Sequence, residues 1–437
     1  MSTKPPSGTR DFLPGDIRRR EYVIGVVRQV YERYGFEPLE TPAFENIETL
    51  LGKYGEEGNK LIFKILKRGE HEASGEADLA LRYDLTVPLA RVVAQYQNEL
   101  PKFFKRYQIQ PVWRADRPAK GRFREFFQCD IDSMGSTSLT VEVEQLSAVS
   151  EVLTTLGFGD FTIQLNHREL LSAMLEAAEV PLTVHGEALV AIDKLDKIGR
   201  DGVQQELVIR GVDAKNAQVC LMALESVPAF EQLVAGNDRG AAALDHIGRI
   251  LRLTADTPAA AHVSFVPRLA RGLSYYTGAI MEISVPDLAG SLGGGGRYDN
   301  LVGMFLGRDV PACGFSLGLE RIIVVMTERG MFPESLAGGG VDVMVSLWND
   351  EARSDALALA GALRRGGLRV DVYPEADKLG KQFKYASSRH VAFVTVVGDD
   401  ERANGTVGVK DLRSGDQSSV PRAEAAAYIA GRVNPEP

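Results

Sequence analysis

Three arginines, Arg114, Arg271 and Arg321, stand far apart in the chain, and each sits in a short run whose neighbours could shape a pocket. Arg114 follows Trp113 and opens the loop Asp116-Arg117-Pro118-Ala119-Lys120-Gly121-Arg122, which has turn residues and three cations. Arg271 heads Arg-Gly-Leu-Ser-Tyr-Tyr-Thr-Gly (271 to 278), and Arg321 closes Gly-Leu-Glu-Arg (318 to 321). A guanidinium is always charged and binds oxyanions through a planar fork. Groups of this kind suit the binding of phosphate or carboxylate oxygens. Taken singly, each arginine reads as a surface ion pair. A second group obeys strand parity. Phe126, Gln128, Asp130 and Asp132 fall on one face, while Phe127, Cys129 and Ile131 fall on the other, a core face. A solvated sheet face accounts for the polar residues but not for Phe126 among them. A pocket floor accounts for all four.

The elements that must position these residues can be read from periodicity. Val23, Val26, Val27, Val30, Tyr31 and Tyr34 recur at helical spacing, which predicts a helix over 16–34 ended by Gly35. Residues 36–44 read as extended and carry Pro38 and Pro42, as sheet edges do. Residues 103–132 read as two strands around a loop, and a helix is expected over 138–156. Residues 178–255 are rich in Ala, Leu, Val and charge but poor in aromatics, which predicts a helical insertion. Residues 262–285 look strand-like, and strict parity would then put Arg271 and Tyr276 on opposite faces unless the chain bends, as at Gly272. Gly293 to Gly296 could be a flexible linker; between ordered flanks, close approach of backbone to a ligand fits as well. Residues 312–325 read as a strand leading into a helix. A composition break at 337–340 precedes strand 341–347, helix 351–365, strand 368–373, helix 377–389 and strand 391–397, an α/β alternation.

Composition sets the outer bounds. A chain of 437 residues exceeds one ordinary core. Apolar content of 44% with 25% charge is that of a globular protein, and no apolar run reaches the roughly 18 residues of a membrane span. Cys129, Cys220 and Cys313 are scattered, as are His185 and His246, so no metal site is expected. With no signal-like apolar core near the start, a cytoplasmic location follows. The net charge of −9 speaks against a nucleic-acid partner, but phosphate binding depends on local patches. One such stretch holds Lys102, Lys105, Arg106, Arg114, Arg117, Lys120, Arg122 and Arg124, opposed nearby by Asp116 and Glu125.

Taken together the motifs resemble one family. Class II aminoacyl-tRNA synthetases carry, in order, a helix and a strand with a proline, a strand–loop–strand with an arginine, and Gly-x-Glu-Arg. Here these are residues 16–44 with Pro42, Arg114 with residues 117–126, and residues 318–321. Two segments, Leu-Ala-Arg-Gly-Leu-Ser-Tyr-Tyr-Thr-Gly (269 to 278) and Gly-Gly-Arg-Tyr-Asp (295 to 299), narrow the resemblance to the histidyl-tRNA synthetase family, and Leu-Arg-Tyr-Asp-Leu-Thr-Val-Pro (81 to 88) also resembles it. The family usually has Asp where this chain has Ser274. The resemblance implies an α+β catalytic domain on an antiparallel sheet, interrupted by a helical insertion and followed by an α/β domain. The expected boundaries are 1–177 (catalytic, first part), 178–255 (insertion), 256–330 (catalytic, second part), 331–340 (linker) and 341–437 (anticodon-binding).

The resemblance also implies roles. Arg114 and Arg271 would act at the α-phosphate of ATP and Arg321 at the γ-phosphate. Asp116, Arg122 and Phe126 would complete the ATP site, with Phe126 stacked on adenine. Asp132 and Tyr276 would take the imidazole of L-histidine, Asp84, Thr86 and Gln128 its amino-acid end, and Tyr275 and Tyr298 would line or close the pocket. Lys120 and Arg122 would touch tRNA(His), and the insertion would clamp its acceptor arm. Mg²⁺ would bind mainly through ATP phosphates, with no protein metal site. A homodimer is implied by the first motif. Three other readings exist. A regulatory paralogue serving histidine biosynthesis normally lacks the C-terminal domain and loses active-site residues. A tRNA-sensing module would be fused to a kinase. Another class II synthetase would lack the two histidyl segments.

Overall fold

The helix Pro14–Arg33 shows how the sequence sets its local structure. Proline stands at the first helical position, Asp16 lies in the first turn and Arg33 in the last, each favourable for the helix dipole. Gly35 adopts φ +74°. The amides of Gly35 and Phe36 then donate to the carbonyls of Glu32 and Tyr31, and the Tyr31 and Phe36 rings meet behind the turn. Val23, Ile24, Val27, Val30 and Tyr31 form its buried side.

This computed structural model describes residues 2–69, 74–270, 275–336 and 340–433. Its contacts divide into two units, Met1–Asp11 with Arg20–Met331, and Phe12–Arg19 with Phe332–Pro437. In the first unit the strands are β1 (Glu37–Pro38), β2 (Phe44–Asn46), β3 (Lys64–Leu66), β4 (Ala77–Leu81), β5 (Phe104–Trp113), β6 (Glu125–Met134), β7 (Thr162–His167), β8 (Val263–Phe265), β9 (Ala279–Ser284), β10 (Gly293–Arg297) and β11 (Ala312–Gly318). Eight of them form one sheet in the order β1-β5-β6-β11-β10-β9-β7-β8, and β2-β4-β3 form a small second sheet. The large sheet is antiparallel except where β1 meets β5 and β7 meets β8.

Register gives the large sheet two unlike faces. One row reads Arg106, Asp132, Gly314, Gly296 across β5, β6, β11 and β10; the next on that face reads Gln108, Asp130, Ser316, Gly294. Between them runs a row for the other face: Tyr107, Ile131, Phe315, Gly295, Met281. The apolar rows are core, and Tyr31 of the first helix donates its hydroxyl to the carbonyl of Cys129. Buried charge fastens the helices to the sheet. Arg20 lies 2.8 Å from Glu320 Oε1, whose other oxygen accepts from the Phe127 amide. Arg297 grips Glu142 of the helix Thr140–Thr155 through two bonds of 2.7 and 2.8 Å.

The glycine run is a strand rather than a linker. Gly293 to Gly296 form β10, wedged between β9 and β11, and a Cβ at Gly295 would stand 2.1 Å from the Gly314 carbonyl oxygen. At Gly293, Gly295 and Gly296 the close approach is to neighbouring protein atoms. The 262–285 reading also changes. Strand occupies only 263–265 and 279–284, so parity does not govern residues 275–278; Arg271, Gly272 and Ser274 lie outside the described residues.

The insertion is helical. Helices span His185–Ile192, Leu195–Ile209, Ala214–Ala223, Val227–Val234 and Asp238–Thr254. Asp213, Ser226 and Asn237 cap the last three with side-chain oxygens. The helix Arg168–Ala177 packs with the last two, so the helical layer starts before residue 178.

In the second unit, β12 (Val343–Val345), β13 (Val370–Val372), β14 (Phe393–Val396), β15 (Thr406–Asp411) and β16 (Gln417–Pro421) order as β13-β12-β14-β15-β16. The first three are parallel, joined through helices Arg353–Arg365 and Leu379–Ser388. The sequence reading reached them but not β15, β16 or the helix Ala425–Val433. Gln382 is buried and bonds both the amide and the carbonyl of Leu347. Among the described residues no helix is long and apolar enough to cross a membrane.

Candidate active site

The polar rows of the large sheet form a buried floor. Gln128, Asp130 and Asp132 are buried, together with Arg106 and Gln108 from β5, which rules out the solvated-face alternative. Asp132 sits 2.8 Å from the Arg106 guanidinium and accepts the Tyr298 hydroxyl. Gly314 makes this possible, since a Cβ there would stand 1.9 Å from Asp132 Oδ1. Gly296, in the same row, leaves space for the Tyr276 ring. Tyr275 lies 4.9 Å from Tyr276 and 6.0 Å from Tyr298 between ring centres. Asp132, Tyr275, Tyr276 and Tyr298 therefore come together. Tyr298 is almost wholly buried, and its hydroxyl braces Asp132.

Asp84 joins this floor from the turn before the helix Thr86–Gln95. Its Oδ1 accepts from the Val87 amide and from the Tyr54 hydroxyl, both at 3.0 Å. Its buried Oδ2 has no hydrogen-bond partner, and neither has Oε1 of Gln128, whose amide donates to Ser316. The two carboxylate oxygens of Asp84 thus differ in what they do. One caps the helix, and the other is left open to a donor from elsewhere. Thr86 is half-buried at the start of that helix.

Arg114 lies at the loop end of β5. Its Nε donates to the Tyr83 carbonyl at 3.0 Å, and its guanidinium carbon is 4.2 Å from the Tyr83 ring centre and 5.2 Å from that of Phe126. Arg321 reaches the carbonyls of Ser291 and, at 3.3 Å, Gly121. Arg122 pairs with buried Asp116 at 2.7 Å, and exposed Lys120 pairs with Glu328 at 2.8 Å. The basic stretch 102–124 is thus no single patch. Lys105 pairs with Glu144 while the next residue, Arg106, points inward, because successive strand residues face opposite ways.

Arg106, Gln108, Ser316 and Tyr54 belong to this floor and were not singled out from sequence. Parity along β5 placed Arg106 and Gln108 on one face, but only register sets that face against Asp132 and Asp130. Burial raises the carboxyl pKa of Asp84, Asp130 and Asp132. Asp130 moves from 3.8 to about 7, chiefly by desolvation, with the Arg106 charge opposing. Between those values the folded chain holds a proton that the unfolded chain has released, so this group's contribution to stability falls as pH rises. Asp130→Asn removes that loss. The variant should melt above the wild type at pH 8, by a margin that narrows at pH 5; equal margins at both pH values would refute the shift.

The mainly antiparallel eight-stranded sheet with its helices, and the C-terminal α/β unit, have the class II aminoacyl-tRNA synthetase architecture. A family model described as histidyl-tRNA synthetase matches residues 8–322, and one described as anticodon binding domain matches 342–432. A histidine–tRNA ligase of Flavobacterium johnsoniae is 40% identical over 96% of this chain and 98% of its own; that of Gloeobacter violaceus is 41% identical over 98% of each. The crystal structure of histidyl-tRNA synthetase from Nostoc sp. PCC 7120 aligns over 99% of this chain and 100% of its own, with a TM-score of 0.81 and 31% identity. The chain belongs to the histidyl-tRNA synthetase family.

Proposed function

We propose that this chain is an ATP-dependent histidine–tRNA ligase that works through the site described above. A carboxylate oxygen of L-histidine attacks the α-phosphorus of ATP, and pyrophosphate leaves. The terminal ribose hydroxyl of tRNA(His) then attacks the carbonyl of histidyl-adenylate, and AMP leaves. The observation that carries this reading is the gathering of Arg114, beside Phe126 at the loop end of β5, with the buried acceptors Gln128 and Asp132 on one face of β6 and Asp84 in the turn before the helix Thr86–Gln95.

Arg114 meets the α-phosphate, and Arg271, which lies outside the described residues, meets it from the other side. Arg321 takes the γ-phosphate. Charge on the phosphate oxygens grows in the transition state, so cations held in place beforehand lower the barrier. Phe126 supports adenine while Asp116 holds Arg122 toward the nucleotide. The α-ammonium of histidine finds the open Oδ2 of Asp84 and Oε1 of Gln128, with Thr86 beside them. Asp132 and Tyr276 take the ring nitrogens, and Tyr275 and Tyr298 wall and brace that end. Among the described residues no group of three acids, histidines or cysteines could hold a metal. Mg²⁺ would be held mainly by ATP phosphate oxygens and water and would offset their charge.

Lys120 and Arg122 lie on an exposed loop suited to tRNA phosphates. The domain boundaries drawn from sequence place the anticodon reader at 341–437 and an acceptor-arm clamp at 178–255. A cytoplasmic homodimer completes the reading. Pyrophosphate exchange run with all twenty amino acids tests it. Exchange is expected with histidine, followed by charging of tRNA(His); no histidine-dependent exchange would overturn it.

A further inference from the structure

We propose that Arg106 is a positioning residue for histidine recognition, one guanidinium that holds both the ring-binding and the ammonium-binding ends of the site. This rests on the function proposed above. Arg106 is wholly buried, and its Nη2 does two things. It stands 2.8 Å from Asp132 Oδ2, and it donates to the Leu85 carbonyl at 3.3 Å. Leu85 lies between Asp84 and Thr86, so the same side chain touches the turn at one end and the ring-reading carboxylate at the other.

Two features separate this from a packing role. A guanidinium buried only to join elements is normally fully bonded. Among the described residues Arg106 Nε and Nη1 have no hydrogen-bond partner, nor has Asp132 Oδ2, which the guanidinium approaches off the line of a hydrogen bond. Oδ2 thus keeps an acceptor direction for a ring N–H. The second feature is charge. Asp84, Asp130 and Asp132 are all buried here, and carboxylates crowded in a dry site cannot all stay ionised without a cation. Arg106 is that cation for the Asp132 row, while Arg114 faces Asp84.

The groups that act on Asp132 can be named. They are Arg106 on β5, Asp130 on β6 and Tyr298 after β10, with Asp84 acting on the floor from its turn. Tyr31 of the first helix and Cys313 of β11 feel the same charge. Burial favours the protonated form of Asp132 and Arg106 opposes it. Without Arg106 the carboxyl keeps its proton to higher pH. It then presents a donor to a ring N–H that needs an acceptor. With a pKa of about 6.5 the ligand imidazole is mostly neutral from pH 7 upward, and the wild type followed over the same range accounts for the fraction that still titrates.

The experiment is histidine-dependent pyrophosphate exchange by the full-length chain from pH 7 to 8.5, with KM measured separately for histidine and ATP. Arg106→Met should raise the histidine KM roughly 10–100-fold at pH 7, the loss of one charged partner, with little change for ATP. The deficit should shrink as pH rises, and Arg106→Lys should recover part of it. A folded Arg106→Met protein with wild-type histidine KM at every pH overturns the inference. So does a loss shared equally by histidine and ATP and flat with pH, which is what a purely structural residue would show. If Arg106→Met does not fold, Arg106→Lys decides: a raised histidine KM beside an unchanged ATP KM supports the inference, and a wild-type histidine KM overturns it. Absence of exchange in the wild type would instead remove the function reading on which the inference stands.

Discussion

Replacing Arg114 by alanine is expected to lower histidine-dependent pyrophosphate exchange by roughly 10²–10³, the usual cost of removing one preorganised donor at a centre of developing charge. The side chain is held by the Tyr83 carbonyl and lies between the rings of Tyr83 and Phe126, so its position is fixed before ATP arrives. The effect should fall on kcat more than on the histidine KM, because the missing charge matters most in the transition state. Arg271→Ala should behave alike. Arg122→Ala provides the contrast. That residue is half exposed and already paired with Asp116, so screening by water leaves it a smaller role. Wild-type exchange by a folded Arg114→Ala protein would show that the phosphate end has been misplaced.

The second large effect is expected at Asp132. Asp132→Asn keeps the shape of the side chain and removes its charge. The acceptor for the ring N–H weakens, and Arg106 is left buried without its partner. A site built to satisfy polar atoms rejects whatever leaves them unpaired, so kcat/KM for histidine should fall roughly 10²–10⁴-fold. ATP should bind as before. Titrating each substrate in the exchange assay separates the two, and an ATP KM that rises in step with that of histidine would count against the assignment. The same physics explains why a second, hydrolytic sieve is not called for. Histidine carries two ring nitrogens that buried partners can demand, whereas a missing methylene is worth only about 1–3 kcal/mol.

Much of this site was legible before any coordinates. Period two along residues 126–132 separated Phe126, Gln128, Asp130 and Asp132 from the core-facing Phe127, Cys129 and Ile131, and the structure keeps that division. Helical period and Gly35 placed the first helix to within two residues at its start and one at its end. Turn chemistry located the loop that carries Lys120, Gly121 and Arg122. These features are local: each follows from φ/ψ preference or from which face of an element a residue occupies.

What remained hidden was everything that depends on pairing between distant strands. Arg106 looked like one more cation in a basic stretch, and only the β5–β6 register turns it toward Asp132. Tyr298 follows the glycine run in sequence, and only the turn after β10 brings its hydroxyl to the same carboxylate. Gly293 to Gly296 suggested either slack or a ligand; they form a strand, and the space beside Gly293, Gly295 and Gly296 is taken up by β11, the Ala279 carbonyl and the Tyr276 ring. Glycine in a sequence marks room for something, and tertiary structure alone decides what fills it. Asp84 could be read as a turn residue or as a ligand-binding one; one oxygen accepts from the Val87 amide, and the other has no hydrogen-bond partner among the described residues. The sequence by itself determined which residue types face together along each strand and so the kind of chemistry available. Register and burial decided which charges meet, because both the sign of a pKa shift and the partner of a carboxylate depend on atoms brought close from far along the chain.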